Sequence, residues 1–190
     1  MPKVTTKRDD ILRPSEITDM LESAKYEPWL QCLVCILAVF GKRISEVIKL
    51  KRSDIWFDDT YLFVQFNVLK KASKKADSMP KPYLKRKTRK HAFVKPIIRY
   101  IIGVEKGYLF PSTRSAYGYI SRQHAWNKIK ALNPKAWCHL FRESLATSMA
   151  EHDATEEDLL HWFDWDRVDT AHRYVKRGTR LTKKWSDRAY

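Results

Sequence analysis

Between Pro28 and Gly41 runs Trp29-Leu30-Gln31-Cys32-Leu33-Val34-Cys35-Ile36-Leu37-Ala38-Val39-Phe40, in which Gln31 is the one strongly polar side chain. Proline favours the first position of a helix and glycine the position just past its end, so the segment predicts a helix bounded by these two residues. A helix that is apolar nearly all round has no face to show to water and must be packed on every side. At this length it falls short of the roughly 18 residues that span a bilayer. The reading is a central core helix. A lone Cys-x-x-Cys with no second pair makes a poor zinc site, and Cys32 and Cys35 are expected as buried core thiols.

The rest of the chain supplies elements to pack around it. Pro14 opens a helix in which Ile17, Met20, Leu21 and Ala24 recur at i, i+3, i+4 and i+7. Past Gly41 a short helix places Ile44, Val47 and Ile48 inward. Asp54 to Phe57 and Tyr61 to Leu69 read as strands joined across Asp58-Asp59, the second alternating Leu62, Val64, Phe66 and Val68. A lysine-rich loop is expected from Lys70 to about Lys90, then a third strand over His91 to Val94. Ile97, Ile98, Ile101 and Ile102 mark a helix after Pro96 that ends at Gly103. Further helices are expected near 114–131, 139–151, 155–164 and 168–176, with Thr155 and Asp158 forming a capping box. The predicted fold class is mainly α with a small three-stranded antiparallel sheet (α+β). Residues 1–13 read as a tail or linker, 14–176 as one domain, and 177–190 as a C-terminal tail whose Leu181 and Trp185 could dock on a neighbouring subunit.

Charge narrows the partner. The 190 residues carry 37 Lys+Arg against 22 Asp+Glu, a net charge of +15, beside a 44% hydrophobic content sufficient for a folded core. Such an excess implies a polyanionic partner, nucleic acid being the commonest. An anionic membrane surface would need a basic amphipathic helix with a bulky apolar face, and none is evident. Met1-Pro2-Lys3-Val4 lacks the apolar stretch of a secretory signal. The expected location is cytoplasmic, at the nucleoid, or in the host cytoplasm if the protein is viral.

Cutting a phosphodiester without a metal requires a nucleophile, cations or donors on the non-bridging oxygens, and an acid for the leaving 5′ oxygen. Three segments offer such groups. Arg43, in Phe40-Gly41-Lys42-Arg43-Ile44-Ser45-Glu46, could grip two phosphate oxygens with its planar guanidinium while Glu46, one turn on, holds it. His139 and Arg142 lie at i, i+3 and so share one helix face. Tyr174 ends Asp164-Trp165-Asp166-Arg167-Val168-Asp169-Thr170-Ala171-His172-Arg173-Tyr174 among basic residues, as a phenol with a pKa near 10 needs if it is to attack. Taken singly, each has a bland alternative: a surface salt bridge, a polar helix face, a core tyrosine.

Together, in this order and spacing, the three segments resemble the catalytic domain of tyrosine recombinases of the phage-integrase type. Phe40 to Leu50 resembles the family's TGLR-hSE-hhxL segment, Cys138 to Thr147 its HxLRHSFAT box, and Phe163 to Tyr174 its LGHxxxxTTxxY box. The resemblance covers about Ile11 to Lys176. It implies the tyrosine recombinase catalytic-domain fold and site-specific DNA cutting and rejoining through a 3′-phosphotyrosine. Arg43 and Arg142 would bind phosphate, with His139 between them and Tyr174 the nucleophile. Trp165, nine residues before Tyr174, stands where the family has His or, less often, Trp; its indole N–H can donate but cannot take a proton. Glu143 replaces a second histidine, and Asp164 the glycine of LGH.

The family's general acid is a lysine of the hairpin between the second and third strands. Counting from Asp54 points to Lys70 or Lys71; counting back from the third strand points to Lys87, within Lys87-Thr88-Arg89-Lys90. The implied partners are double-stranded DNA and further copies of the chain, as a tetramer on DNA, with no cofactor, metal or membrane. The 13 residues before Pro14 are too few for the separate DNA-clamping domain that precedes this one in the family. The chain therefore reads as a trimmed piece, or as a short form like those of archaeal viruses and mobile elements. Rival readings are a type IB topoisomerase, a non-enzymatic DNA-binding relative, and a metal nuclease built on His161, Asp164 and Asp166.

Overall fold

In the computed structural model the described residues are 11–67 and 82–176. Helices α1 (Pro14–Ser23) and α2 (Pro28–Phe40) are each opened by proline, and α3 (Ile44–Val47) follows directly after Gly41–Arg43. A 3-10 turn at Arg52–Asp54 leads into strands β1 (Ile55–Phe57), β2 (Tyr61–Asn67) and β3 (Pro82–Thr88). Then come α4 (Val94–Ile102), α5 (Arg122–Leu132), α6 (Cys138–Glu151), α7 (Glu156–Phe163) and a last helix, α8, over 168–176.

The all-round apolar helix is the centre, as its composition demands. Leu30, Cys32 to Leu37, Val39 and Phe40 are all buried, and α2 packs against α1, α4 and α6. Gly41 stops α2 in the left-handed conformation, φ 58°. A β-carbon there would come within 2.6 Å of Phe163 Cε1 and 3.0 Å of Leu145 Cδ2, so the glycine also permits a close approach between chain segments. Cys32, Cys35 and Cys138 are free and buried. Burial pushes the Cys35 thiol up to about 12 and that of Cys138 to about 11. Leu12 is already part of the core, its backbone N–H donating to Ser144 Oγ at 2.7 Å.

The sheet is antiparallel in the order β1-β2-β3. Ile55 faces Val64, and Lys87, Lys85 and Tyr83 face Leu62, Val64 and Phe66. Since Leu62, Val64 and Phe66 are buried, Tyr83, Lys85 and Lys87 point to the core side too. Here the structure corrects the expected third strand. Residues expected as loop form β3, whereas His91 to Phe93 turn the chain into α4, with Val94 N–H donating to His91 O at 2.9 Å. Pro96 sits in the first turn of α4, where its missing N–H costs nothing. The helix expected from about 114 begins only at Arg122, where Ser121 Oγ accepts the His124 N–H; Gly118, φ 76°, lies in the turn before it. Val68 and Leu69, expected to continue β2, lie outside the described residues, as do Lys70 and Lys71.

Among the described residues two apolar clusters result. The large one surrounds α2. The small one consists of Ala146, Leu159, Phe163 and Ala171, with Leu145, Trp165 and Tyr174 packed against it. Thus α8 rests on the smaller cluster, next to the end of α7.

Candidate active site

Arg43 stands at the entrance to α3, immediately after the glycine turn. Its Nη1 donates to Glu46 Oε1 at 3.0 Å, and its backbone N–H to Glu46 Oε2 at 3.1 Å. Glu46 is buried while the Arg43 side chain is 32% exposed, so a fixed carboxylate orients a guanidinium that still reaches the surface. The i, i+3 spacing predicted this contact.

His139 and Arg142 enter from the first turns of α6. Arg142 is buried, its Nη1 donating to Gly41 O at 2.8 Å and its Nη2 to Phe163 O at 2.6 Å. One guanidinium thereby joins α6 to the ends of α2 and α7. These two bonds occupy two of its five N–H groups. Burial, and then the charge of Arg43, pull its pKa down to about 10, opposed by Glu46, Asp164 and Tyr174, so it remains charged at neutral pH. The His139 side chain is 58% exposed and lies 3.7 Å from Glu143. Partial desolvation, followed by the charges of Arg142 and Arg43, holds its pKa below the ordinary histidine range.

At the end of α7 the chain turns through Asp164, which adopts φ 54° where the resemblance has glycine. Asp and Asn are among the few side-chain-bearing residues that adopt this conformation with any frequency. Beyond the turn, Phe163, Trp165 and Tyr174 form a stack: 4.8 Å between the first two ring centroids and 5.1 Å between the last two, inclined by 21° and 15°. Arg142 lies over the rings of Phe163 (4.9 Å) and Trp165 (5.4 Å). Tyr174 is half-buried. A second contact on α8, His172 Nδ1 to Glu156 Oε1 at 2.6 Å, ties it to the start of α7.

The structure thus gathers Arg43, His139, Arg142, Trp165 and Tyr174. Lys87 is half-buried on β3, its pKa lowered by desolvation, and its charge contributes to the lowering of the His91 pKa. Lys90 is exposed. Two lysines at the site escaped sequence reasoning: Lys42 and Lys85, both buried and both directed at Asp164. The available signal was a charge at Lys42, between a buried helix and Arg43, paired with an acid in a glycine position. Asp164 is therefore engaged by two ammonium groups, which removes it from any ligand set with His161 and Asp166. Among the described residues, no three His, Cys, Asp or Glu cluster as a metal site.

The outer face of the sheet adds aromatic and basic surface. Trp56 and Phe63 stack at 5.7 Å, and Arg86 lies 4.8 Å over the Tyr61 ring. No described helix is long and apolar enough to cross a membrane.

Among solved structures, the XerH site-specific recombinase in a post-cleavage complex with a palindromic difH substrate superimposes with a TM-score of 0.72. The match is 16% identical and covers 95% of this chain and 53% of that one. XerA recombinase gives 0.68 at 18% identity, covering 100% and 67%, and the Tn1549 transposon integrase with circular intermediate DNA gives 0.63 at 14%, covering 91% and 63%. The fold is that of the tyrosine recombinase catalytic domain. A probable integrase/recombinase of Acholeplasma phage L2 is 26% identical over 193 aligned positions, which take in 94% of this chain and 61% of that protein. The chain thus spans less than two thirds of that relative's length. Residues 10–179 match the phage integrase family, and the chain belongs to that family.

Proposed function

We propose that the chain is a site-specific DNA recombinase that cuts and rejoins strands through Tyr174. The Tyr174 oxygen attacks phosphorus, giving up its proton, as the bond to the 5′ oxygen breaks; that oxygen takes a proton and leaves as a hydroxyl. The resulting 3′-phosphotyrosine retains the energy of the broken bond, so a 5′ hydroxyl from the same or another duplex can reverse the step without ATP. Arg43 and Arg142 would hold the non-bridging oxygens, and His139 and the Trp165 N–H would donate to them as charge builds. The observation that carries the reading is that one ring, Trp165, meets both groups: the Arg142 guanidinium lies 5.4 Å from its centroid and Tyr174 stacks on it at 5.1 Å. DNA complexes of XerH and of the Tn1549 integrase support the choice of substrate.

The proton for the leaving oxygen would come from a lysine of the β2–β3 hairpin. Lys87 has a pKa lowered by burial, which makes it a better acid than a solvated lysine; Lys71 is the alternative. A 5′-thiolate leaving group needs no protonation, so it should restore cleavage to the variant that lacks the acid and to no other. Recombination between two duplexes calls for several copies, and we propose a tetramer on DNA; residues 177–190, proposed to join neighbours, lie outside the described residues.

The test is incubation with nicked duplexes of randomised sequence, from which the short fragment between the cleaved bond and the nick, carrying the new 5′ hydroxyl, diffuses away, followed by denaturing electrophoresis. The wild type should form a protein–DNA adduct that the Tyr174→Phe variant does not form, with DNA binding nearly unchanged. Adduct formation by Tyr174→Phe would refute the assignment.

A further inference from the structure

The last four carbonyls of an α-helix have no partner within it and need one from elsewhere when buried. At the end of α7 each acceptor can be accounted for. Leu160 O receives the backbone N–H groups of Asp164 and Trp165. His161 O receives Lys85 Nζ at 2.9 Å, Trp162 O receives Lys42 Nζ at 3.5 Å, and Phe163 O receives Arg142 Nη2 at 2.6 Å. Three successive carbonyls are thus capped by three cations from three separate segments: β3, the α2–α3 turn and α6.

Asp164 supplies the balancing charge. Its Oδ2 accepts a hydrogen bond from Lys42 Nζ, and its Oδ1 lies 3.8 Å from Lys85 Nζ. The side chains of Lys42, Lys85 and Asp164 are 1%, 7% and 6% exposed. Aromatic rings lie beside both ammonium groups, Phe66 and Tyr83 beside that of Lys42 and Trp162 beside that of Lys85. Removing one member of such a buried set leaves a charge without its partner, whereas removing an opposite pair can be tolerated.

We propose that Lys42, Asp164 and Lys85 are positioning residues that fix the end of α7, and through it set Trp165 and Tyr174 against Arg142. The triad touches no reacting atom. It acts through the turn at Asp164, whose next residue is Trp165, and beside Arg43 and Arg142, which lie one residue from Lys42 and one hydrogen bond from Phe163. This inference rests on the recombinase reading for its effect on rate, but the charge arrangement makes a distinctive prediction of its own. Two ammonium groups share one carboxylate, so the loss of Asp164 is worse than the loss of either lysine. A second substitution that removes a lysine should then repair the first.

The experiment compares Asp164→Asn, Lys42→Met, Lys85→Met and the double variant Asp164→Asn/Lys42→Met with the wild type. Asparagine tolerates the left-handed turn, and methionine keeps most of the lysine stem. Adduct formation is timed at saturating nicked DNA, and DNA affinity and melting temperature are measured in parallel. Asp164→Asn should slow adduct formation by about 10²-fold, the scale of losing a preorganised group, with affinity within about threefold of wild type. The double variant should recover at least about tenfold of that loss. Should Asp164→Asn fail to fold, the double variant should still fold and react. A double variant no faster than Asp164→Asn, or an Asp164→Asn that reacts like wild type, overturns the triad. If the wild type itself forms no adduct, the recombinase reading fails instead. Melting temperatures then decide the triad: Asp164→Asn below the double variant supports it, and the reverse order overturns it.

Discussion

The indole of Trp165 and the phenol of Tyr174 stack 5.1 Å apart and within 15° of parallel, so the proposed nucleophile and the proposed donor are held by one contact within a single chain. Such aromatic pairs contribute about 0.5–1.5 kcal/mol beyond their buried area. Trp165→Phe should keep the stack and lose only the N–H donor, whereas Trp165→Ala loses both. Adduct formation is expected to fall about 10²-fold in the first variant, on the scale of one lost oxyanion donor, and further in the second. Rates on a common nicked substrate measure the difference.

Gly41→Ala should destabilise the whole domain. The residue would be held at φ 58° and its β-carbon would lie 2.6 Å from Phe163, the ring beneath Arg142. A cost above about 1 kcal/mol is expected, from left-handed strain combined with the displaced ring. Urea unfolding followed by circular dichroism gives the value.

Core elements were legible because their cause is local. Pro14, Pro28 and Gly41 bracket helices whose apolar spacing needs no distant partner, and the Arg43–Glu46 contact follows from i, i+3 geometry. The third strand was not legible. Its inward positions are Tyr83, Lys85 and Lys87, so the alternation that reveals β2 through Leu62, Val64 and Phe66 is hidden by side chains that bury a stem and carry a charge. Lys42 and Asp164 were illegible for another reason. They lie 122 residues apart; Lys42 alone is one more lysine in a basic chain, Asp164 alone a departure from the glycine of the pattern, and the sense of the two emerges only when the fold pairs them.

Stability should fall on mild acidification. The pKa values of His139 and His91 lie below the ordinary histidine value in the folded chain, each chiefly through desolvation. Between that lowered value and the unfolded value of about 6.5 the unfolded chain binds more protons. The contribution of these histidines is therefore complete above about pH 6.5 and is lost as pH falls through the folded value. A second loss should follow at lower pH, because backbone hydrogen bonds hold Asp58 and Asp158 below the usual carboxylate range. Melting temperatures from pH 8 to pH 5 should decline, and the decline should be shallower in His139→Gln and His91→Gln.

The two clusters should differ in how readily they open. Buried Cys32 and Cys35 lie in α2, at the centre of the large cluster, whereas α8 contributes Ala171 to a small one. Amide exchange is expected to be fastest among the helices in 168–176 and slowest in α2, as local unfolding follows local burial. Thiol reagents at pH 8 should leave Cys32 and Cys35 unmodified until the chain unfolds. Early modification of either, with α8 protected, would reverse the order.

Peptide mapping of the trapped adduct is the most direct measurement. After nuclease and protease digestion, mass spectrometry should find the nucleotide remnant on the peptide that contains Tyr174, with fragment ions placing it on the phenolic oxygen. A remnant on another of the chain's 9 tyrosines, on a serine or a histidine, or an adduct still formed by Tyr174→Phe, would contradict the account.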